Sequence, residues 1–135
     1  MLVFDASALV KRYQLEEYSE WIDEIMSRDS HWVGSAILAT ETAIALGRSN
    51  PANAGLAAKD ARLTRDLTYF DLVAVDADCL ARAIDLGRGC GLRTLDAIHL
   101  AAASSLPGKF QFVTFDDRQR EAARDLGLKV LTPPV

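Results

Sequence analysis

The fold class this sequence predicts is α/β, a three-layer α/β/α sandwich around a short, mostly parallel central sheet. Three observations carry that expectation. Short apolar runs alternate with segments of helical periodicity, the pattern of strands joined by crossover helices. Aspartates stand directly behind two of those runs, where open α/β sheets gather their ligands. The chain of 135 residues, 50% hydrophobic and 25% charged, has the composition of an ordinary globule and suits one domain over 1–135.

Four stretches read as buried strands: "LVF", "DLVAV", "FQFVTF" and "LKVLT". Between them, "SEWIDEIM" places Trp21, Ile22, Ile25 and Met26 on one helical stripe. In "SAILATETAIALG" the stripe is Ile37, Leu38, Ile44 and Ala45. Asn50–Pro51 predicts the start of a long helix, since proline is tolerated in a first turn, with Leu56, Leu63, Leu67 and Phe70 on its inner face. Asp76 predicts the cap of a helix whose Leu80 and Ile84 point inward, broken by Gly87, Gly89 and Gly91. "LDAIHLAAASSL" is apolar nearly all round, a buried helix with Thr94 as its cap. The last helix, near "DRQREAARDLG", stops at Gly127.

Composition excludes several classes. The N-terminus has no basic flank, long apolar core or cleavage site, so no signal peptide is expected. No stretch reaches the length of a membrane span, and the expected compartment is the cytoplasm. Cys79 and Cys90 show no CxxC spacing and are expected as reduced thiols. A net charge of −4 opposes bulk coating of nucleic acid. Two bound divalent cations would cancel that charge, so the exclusion depends on metal.

Four acids stand in awkward places. Asp5 ends an apolar strand, and burying a lone carboxylate is costly without compensation. Glu41 falls in the middle of the stripe expected to be buried, where it snorkels out, meets an arginine or serves a site. Asp96 sits at the start of a buried helix, where the helix dipole alone would welcome it. Asp116 and Asp117 precede the last helix; Asp117 is assigned the capping role and Asp116 the site. Carboxylates gathered in one pocket repel, and their pKa values rise unless a cation neutralises them. An oxygen-only set suits Mg²⁺ or Mn²⁺, and such ions support phosphoryl chemistry.

The segments "VFDASALV", "SAILATE", "LDAIHLAAA" and "VTFDDR", in that order, resemble the acidic motifs of PIN-domain nucleases, and the length resembles VapC-type toxins. The resemblance implies a PIN-like fold and metal-dependent endonucleolytic cleavage of RNA, leaving 3′-hydroxyl and 5′-phosphate ends. It implies a homodimer and a cognate VapB-like antitoxin whose tail fills the acidic groove. Asp5, Glu41, Asp96 and Asp116 match the family's acids, with Asp5, Asp96 and Asp116 as the implied Mg²⁺ or Mn²⁺ ligands. Ser7 and Thr114 match hydroxyl residues that would position water or phosphate. Gln119 departs from the family, where many relatives are apolar, and the departure is expected to alter helix packing without touching the acids.

Lys11, Arg12, Arg93 and Arg118 lie near these motifs, and Arg12 and Arg93 are the candidate phosphate contacts. His99, one turn beyond Asp96, bonds either to that carboxylate or to backbone and is read as structural. Three rivals remain: a non-catalytic PIN-like module binding RNA or protein, a Mg²⁺-dependent phosphatase of haloacid-dehalogenase type, and a receiver-like domain. The last two want further acids after the first strand, where Ser7 stands.

Overall fold

A computed structural model describes residues 1–52 and 54–134. Five parallel strands form one sheet in the order β3-β2-β1-β4-β5: β1 (Leu2–Phe4), β2 (Trp32–Ser35), β3 (Phe70–Val73), β4 (Gln111–Val113) and β5 (Lys129–Leu131). The helices are α1 (Ala6–Leu9), running into a 3₁₀ turn at Val10–Arg12, then α2 (Ser19–Arg28), α3 (Leu38–Ser49), α4 (Leu56–Leu67), α5 (Ala77–Cys90), α6 (Thr94–Ser104) and α7 (Asp117–Asp125).

Strand periodicity sorts the helices into layers. On β1, Leu2 and Phe4 face a core built with Leu9, Ile22, Met26, Leu38, Leu46 and Leu63 from α1–α4. Val3, between them, faces the opposite core with Cys79, Ala83, Leu100, Ala122 and Ala123 from α5–α7. Burial on both faces is what parallel strands require. In register, Val3 lies beside Val33 of β2 and Phe112 of β4. The expected three-layer sandwich is therefore present, fully parallel among the described strands.

Five expectations need correction. The strand β2 sits beside β1 in the sheet although "WVGS" carries only two bulky apolar residues. Gly34 is there because a Cβ would lie 2.4 Å from Leu38 Cδ2, so its absence lets the first turn of α3 drop close to the sheet. The long helix does not start at Pro51. Residues 51–52 and 54–55 are turn, α4 begins at Leu56 after Gly55 in the left-handed region, and Phe70 opens β3.

Leu80 and Ile84 point outward, 44% and 53% exposed. The small Cys79 and Ala83 form the buried face of α5 instead, because a close approach to the alanine-rich α6 leaves no room for larger side chains. Gly87 and Gly89 lie inside α5, and only Gly91, at φ 67°, ends it. The cap of α6 is Arg93, one residue before Thr94. Asp76 caps α5 as expected, accepting from Cys79 N at 2.9 Å. No helix among the described residues is long and apolar enough to cross a membrane.

Candidate active site

The site lies at the carboxyl ends of the central strands. Asp5 leaves β1 as the N-cap of α1 and is 2% exposed. Its carboxylate accepts four hydrogen bonds. Oδ1 takes Ser7 Oγ at 2.7 Å and Ala8 N at 3.1 Å. Oδ2 takes Thr114 Oγ1 at 2.6 Å and Gln119 Nε2 at 3.1 Å. All four donors are neutral. Burial dominates over them and pushes the Asp5 pKa up to about 6.

Ser7 and Thr114 spend their protons on Asp5 and accept in turn from the backbone, Phe115 N at 2.9 Å and Asp116 N at 3.1 Å. The two hydroxyls thereby tie the exit of β4 to the exit of β1. Asp116 follows as the N-cap of α7, accepting from Gln119 N at 2.8 Å. The cap expected of Asp117 belongs to Asp116, which lines the pocket as well, while the exposed Asp117 pairs with Arg120 at 3.3 Å.

Asp96 lies in the first turn of α6. Burial raises its pKa first, and the negative charges of Asp116 and Glu41 raise it further. Three acids from separate elements thus share one electrostatic field. Glu41, in the first turn of α3, is not on the buried stripe; Leu38, Thr42 and Leu46 are. It stands on the flank of the helix that faces the pocket, and Ile44 beside it is exposed.

His99 holds Glu41. Its Nε2 lies 2.5 Å from Glu41 Oε2 and its Nδ1 lies 3.0 Å from Ser35 Oγ. A carboxylate only accepts, so the proton is on Nε2. The partner of His99 is therefore the Glu41 carboxylate, neither that of Asp96 nor a backbone group.

Asp5, Ser7, Glu41, Asp96 and Asp116 line a single pocket of about 520 Å³, with Arg48 and Arg93 on its wall. Arg118 lies on an adjoining pocket with Arg93, Asp96 and Asp116. Arg12 is absent from both linings. Its Nε donates to Asp66 Oδ2 at 2.7 Å and its NH1 to Asp23 Oδ1 at 3.0 Å. Lys11 is likewise committed to Glu16 at 3.0 Å.

Among the described residues, no lysine or arginine pairs with Asp5, Asp96 or Asp116. Nor do three His, Cys, Asp or Glu side chains converge into a ready metal cage. The donor set still fits a hard cation. It is all oxygen, it carries uncompensated negative charge, and Mg²⁺ commonly takes one or two carboxylates and keeps its waters.

A family model described as the PIN domain matches residues 2–125. The chain belongs to the PIN-domain family. It is 36% identical to Ribonuclease VapC46 of Mycobacterium tuberculosis, over 98% of this chain and 97% of that one. Ribonuclease VapC35 of the same species is 34% identical over the same shares. Among solved structures, a toxin–antitoxin complex from Klebsiella pneumoniae matches with a TM-score of 0.73 at 17% identity, covering 99% of this chain and 98% of that one.

In this PIN domain the sequence reading missed three residues at or beside the site. Arg48 is on the last turn of α3, and its helical spacing from Glu41 and Ile44 was the available signal. Ser35 gave none, because its strand was not recognised. Gln119, expected to leave the acids alone, is fully buried and bonded to Asp5.

Proposed function

We propose that this chain is the toxin of a toxin–antitoxin pair, a Mg²⁺- or Mn²⁺-dependent endoribonuclease folded as one PIN-like domain over residues 1–135. One observation carries the reading: Asp5 is a buried carboxylate met only by neutral donors, within a pocket that adds three more acids. Such a charge calls for a cation that the chain does not itself supply. The names of the VapC ribonuclease relatives support the reaction class and the RNA substrate.

Asp5, Asp96 and Asp116 would supply the carboxylate oxygens for the ion, with water completing its shell, and Glu41 would take part in handling the attacking water. The chemistry supplied by a bound Mg²⁺ or Mn²⁺ is a lowered water pKa and stabilisation of the leaving oxygen. Ser7 and Thr114 fix the Asp5 carboxylate in one rotamer. His99 fixes Glu41 through a bond that is itself anchored on Ser35. Arg93 and Arg48 bring positive charge to the wall of the pocket, where a scissile phosphate must enter past four acids.

A VapB-like antitoxin tail covers the same pocket, whose rim offers apolar Ile44 and Leu95. A homodimer buries an apolar face, for which exposed Leu80 and Ile84 on α5 are suited. The compartment is the cytoplasm, where the RNA is.

The test is incubation of purified, antitoxin-free protein with total RNA in Mn²⁺ or in EDTA, beside Asp5→Asn and Asp96→Asn. Cleavage is expected only for the wild type with metal. Cleavage that survives EDTA, or survives in both variants, defeats the proposal. Expression of the protein alone is expected to arrest growth, and expression of Asp5→Asn is not.

A further inference from the structure

Beside the acids stands a stack of aromatic rings that the phosphodiester chemistry does not use. Phe115 joins Thr114 to Asp116, and its backbone N–H donates to Ser7 Oγ at 2.9 Å. It lines the adjoining pocket with Arg93, Asp96, Asp116 and Arg118. Its ring is braced by three neighbours. Tyr18 stacks on it with centroids 5.5 Å apart and planes 21° apart, and Trp21 meets it edge-on at 5.9 Å. Lys11 Nζ lies 4.6 Å from its centre, within reach of a cation–π attraction.

Tyr18 is the outer ring of this stack, 39% exposed. It stands just before α2 at φ 69°, the single non-glycine residue in the left-handed region among the described residues. A bulky side chain adopts that conformation only at a cost, whereas glycine adopts it freely. Nor does Tyr18 cap the helix, since its side chain makes no capping bond. Strain of this kind gathers at ligand-binding sites. What accompanies it here is a flat ring set against Phe115 and partly open to solvent.

We infer that Tyr18 is a base-stacking residue, its exposed ring taking an unpaired nucleobase of the RNA strand beside the scissile phosphate. The inference rests on the proposal that these acids cut RNA. A nucleobase suits the ring better than a protein side chain does, because Phe115 makes the stack continuous with the acids. The pocket that Phe115 lines also carries Arg93 and Arg118, neither paired with a carboxylate among the described residues. Cations for the backbone and a flat ring for the base are the means by which proteins hold single strands. Stacking accepts any base but needs one whose face is free, so the ring favours looped or single-stranded RNA over duplex.

The experiment is fluorescence anisotropy with Ca²⁺ in place of Mn²⁺, using a short labelled oligoadenylate and the same ribose–phosphate chain without bases. Tyr18→Leu is expected to bind oligoadenylate about tenfold more weakly than the wild type. Tyr18→Phe and Tyr18→Trp keep a ring and are expected to stay within about twofold of it. The base-free chain is expected to bind all four proteins alike. An equal loss on both chains assigns Tyr18 to the fold and overturns the inference, as does full affinity in Tyr18→Leu. A wild type that does not distinguish the two chains overturns it too. A wild type that binds neither chain removes the RNA reading and this inference together.

A measurement on the unmodified protein guards against a variant that does not fold. An oligouridylate carrying 5-iodouridine is expected to photo-cross-link at Tyr18, located by mass spectrometry of the digested adduct. Adducts on other residues only, or none, refute the stacking.

Discussion

Two aspartates are buried among the described residues, and they are satisfied in opposite ways. Asp66, on α4, is 4% exposed and accepts from Arg12 Nε at 2.7 Å and from Tyr13 Oη at 2.8 Å. Asp5 is 2% exposed and accepts from four groups, none of them charged. The first charge is cancelled by a guanidinium from the same chain, and the pair staples the turn after α1 to α4. The second is only solvated by dipoles, and it sits where three other acids face it. Burial alone therefore does not mark a functional carboxylate. What marks it is burial with the countercharge left out.

The largest expected effect separates the two on activity. Asp5→Asn should reduce RNA cleavage by about 10³-fold, whereas Asp66→Asn should leave the rate per folded molecule within about threefold of wild type. Comparable losses in both, measured at saturating Mn²⁺, would erase the distinction. Stability should reverse the order. Breaking a buried pair strands its partner, so Asp66→Asn should lower the free energy of unfolding by about 3 kcal/mol in urea titrations.

The pH dependence of stability sharpens the contrast further. The native state holds the Asp5 proton to about pH 6, against a reference value of 3.8. Asp5 thus contributes stability that is fully present below about pH 4 and is lost as pH rises through about 6. In EDTA, wild type should therefore lose about 2–3 kcal/mol more than Asp5→Asn between pH 4 and pH 7. Parallel curves for the two proteins would mean that Asp5 ionises without penalty. The smallest effect expected is at His99→Gln, which loosens Glu41 without removing it; a drop of about tenfold in cleavage is expected. An unchanged rate would show that Glu41 needs no holder.

Much of this architecture was legible. Asp5 and Asp116 were readable as strand-end acids because each directly follows an apolar run, where open parallel sheets place their sites. What was not legible depends on neighbours distant in sequence. The strand β2 hides because Gly34 makes room for Leu38 and Ser35 bonds to His99, two demands that a local pattern does not display. Leu80 and Ile84 misled for a related reason. Hydrophobicity ranks them above Cys79 and Ala83, while the close approach of α5 to α6 selects for smallness. Asp116 and Asp117 could not be separated without knowing which one reaches Gln119 N.

Gly34 also has a bearing on how the chemistry tolerates mutation. A single methyl at that position would have to displace Leu38, which is fully buried and opens the helix that carries Glu41. Leu38 Cδ2 would have to give way inside the core, and the shift would press on the first turn of the helix, where Glu41 meets His99. Gly34→Ala should therefore impair catalysis from beneath, with every acid still in place, so a residue without a side chain governs where a reactive one stands.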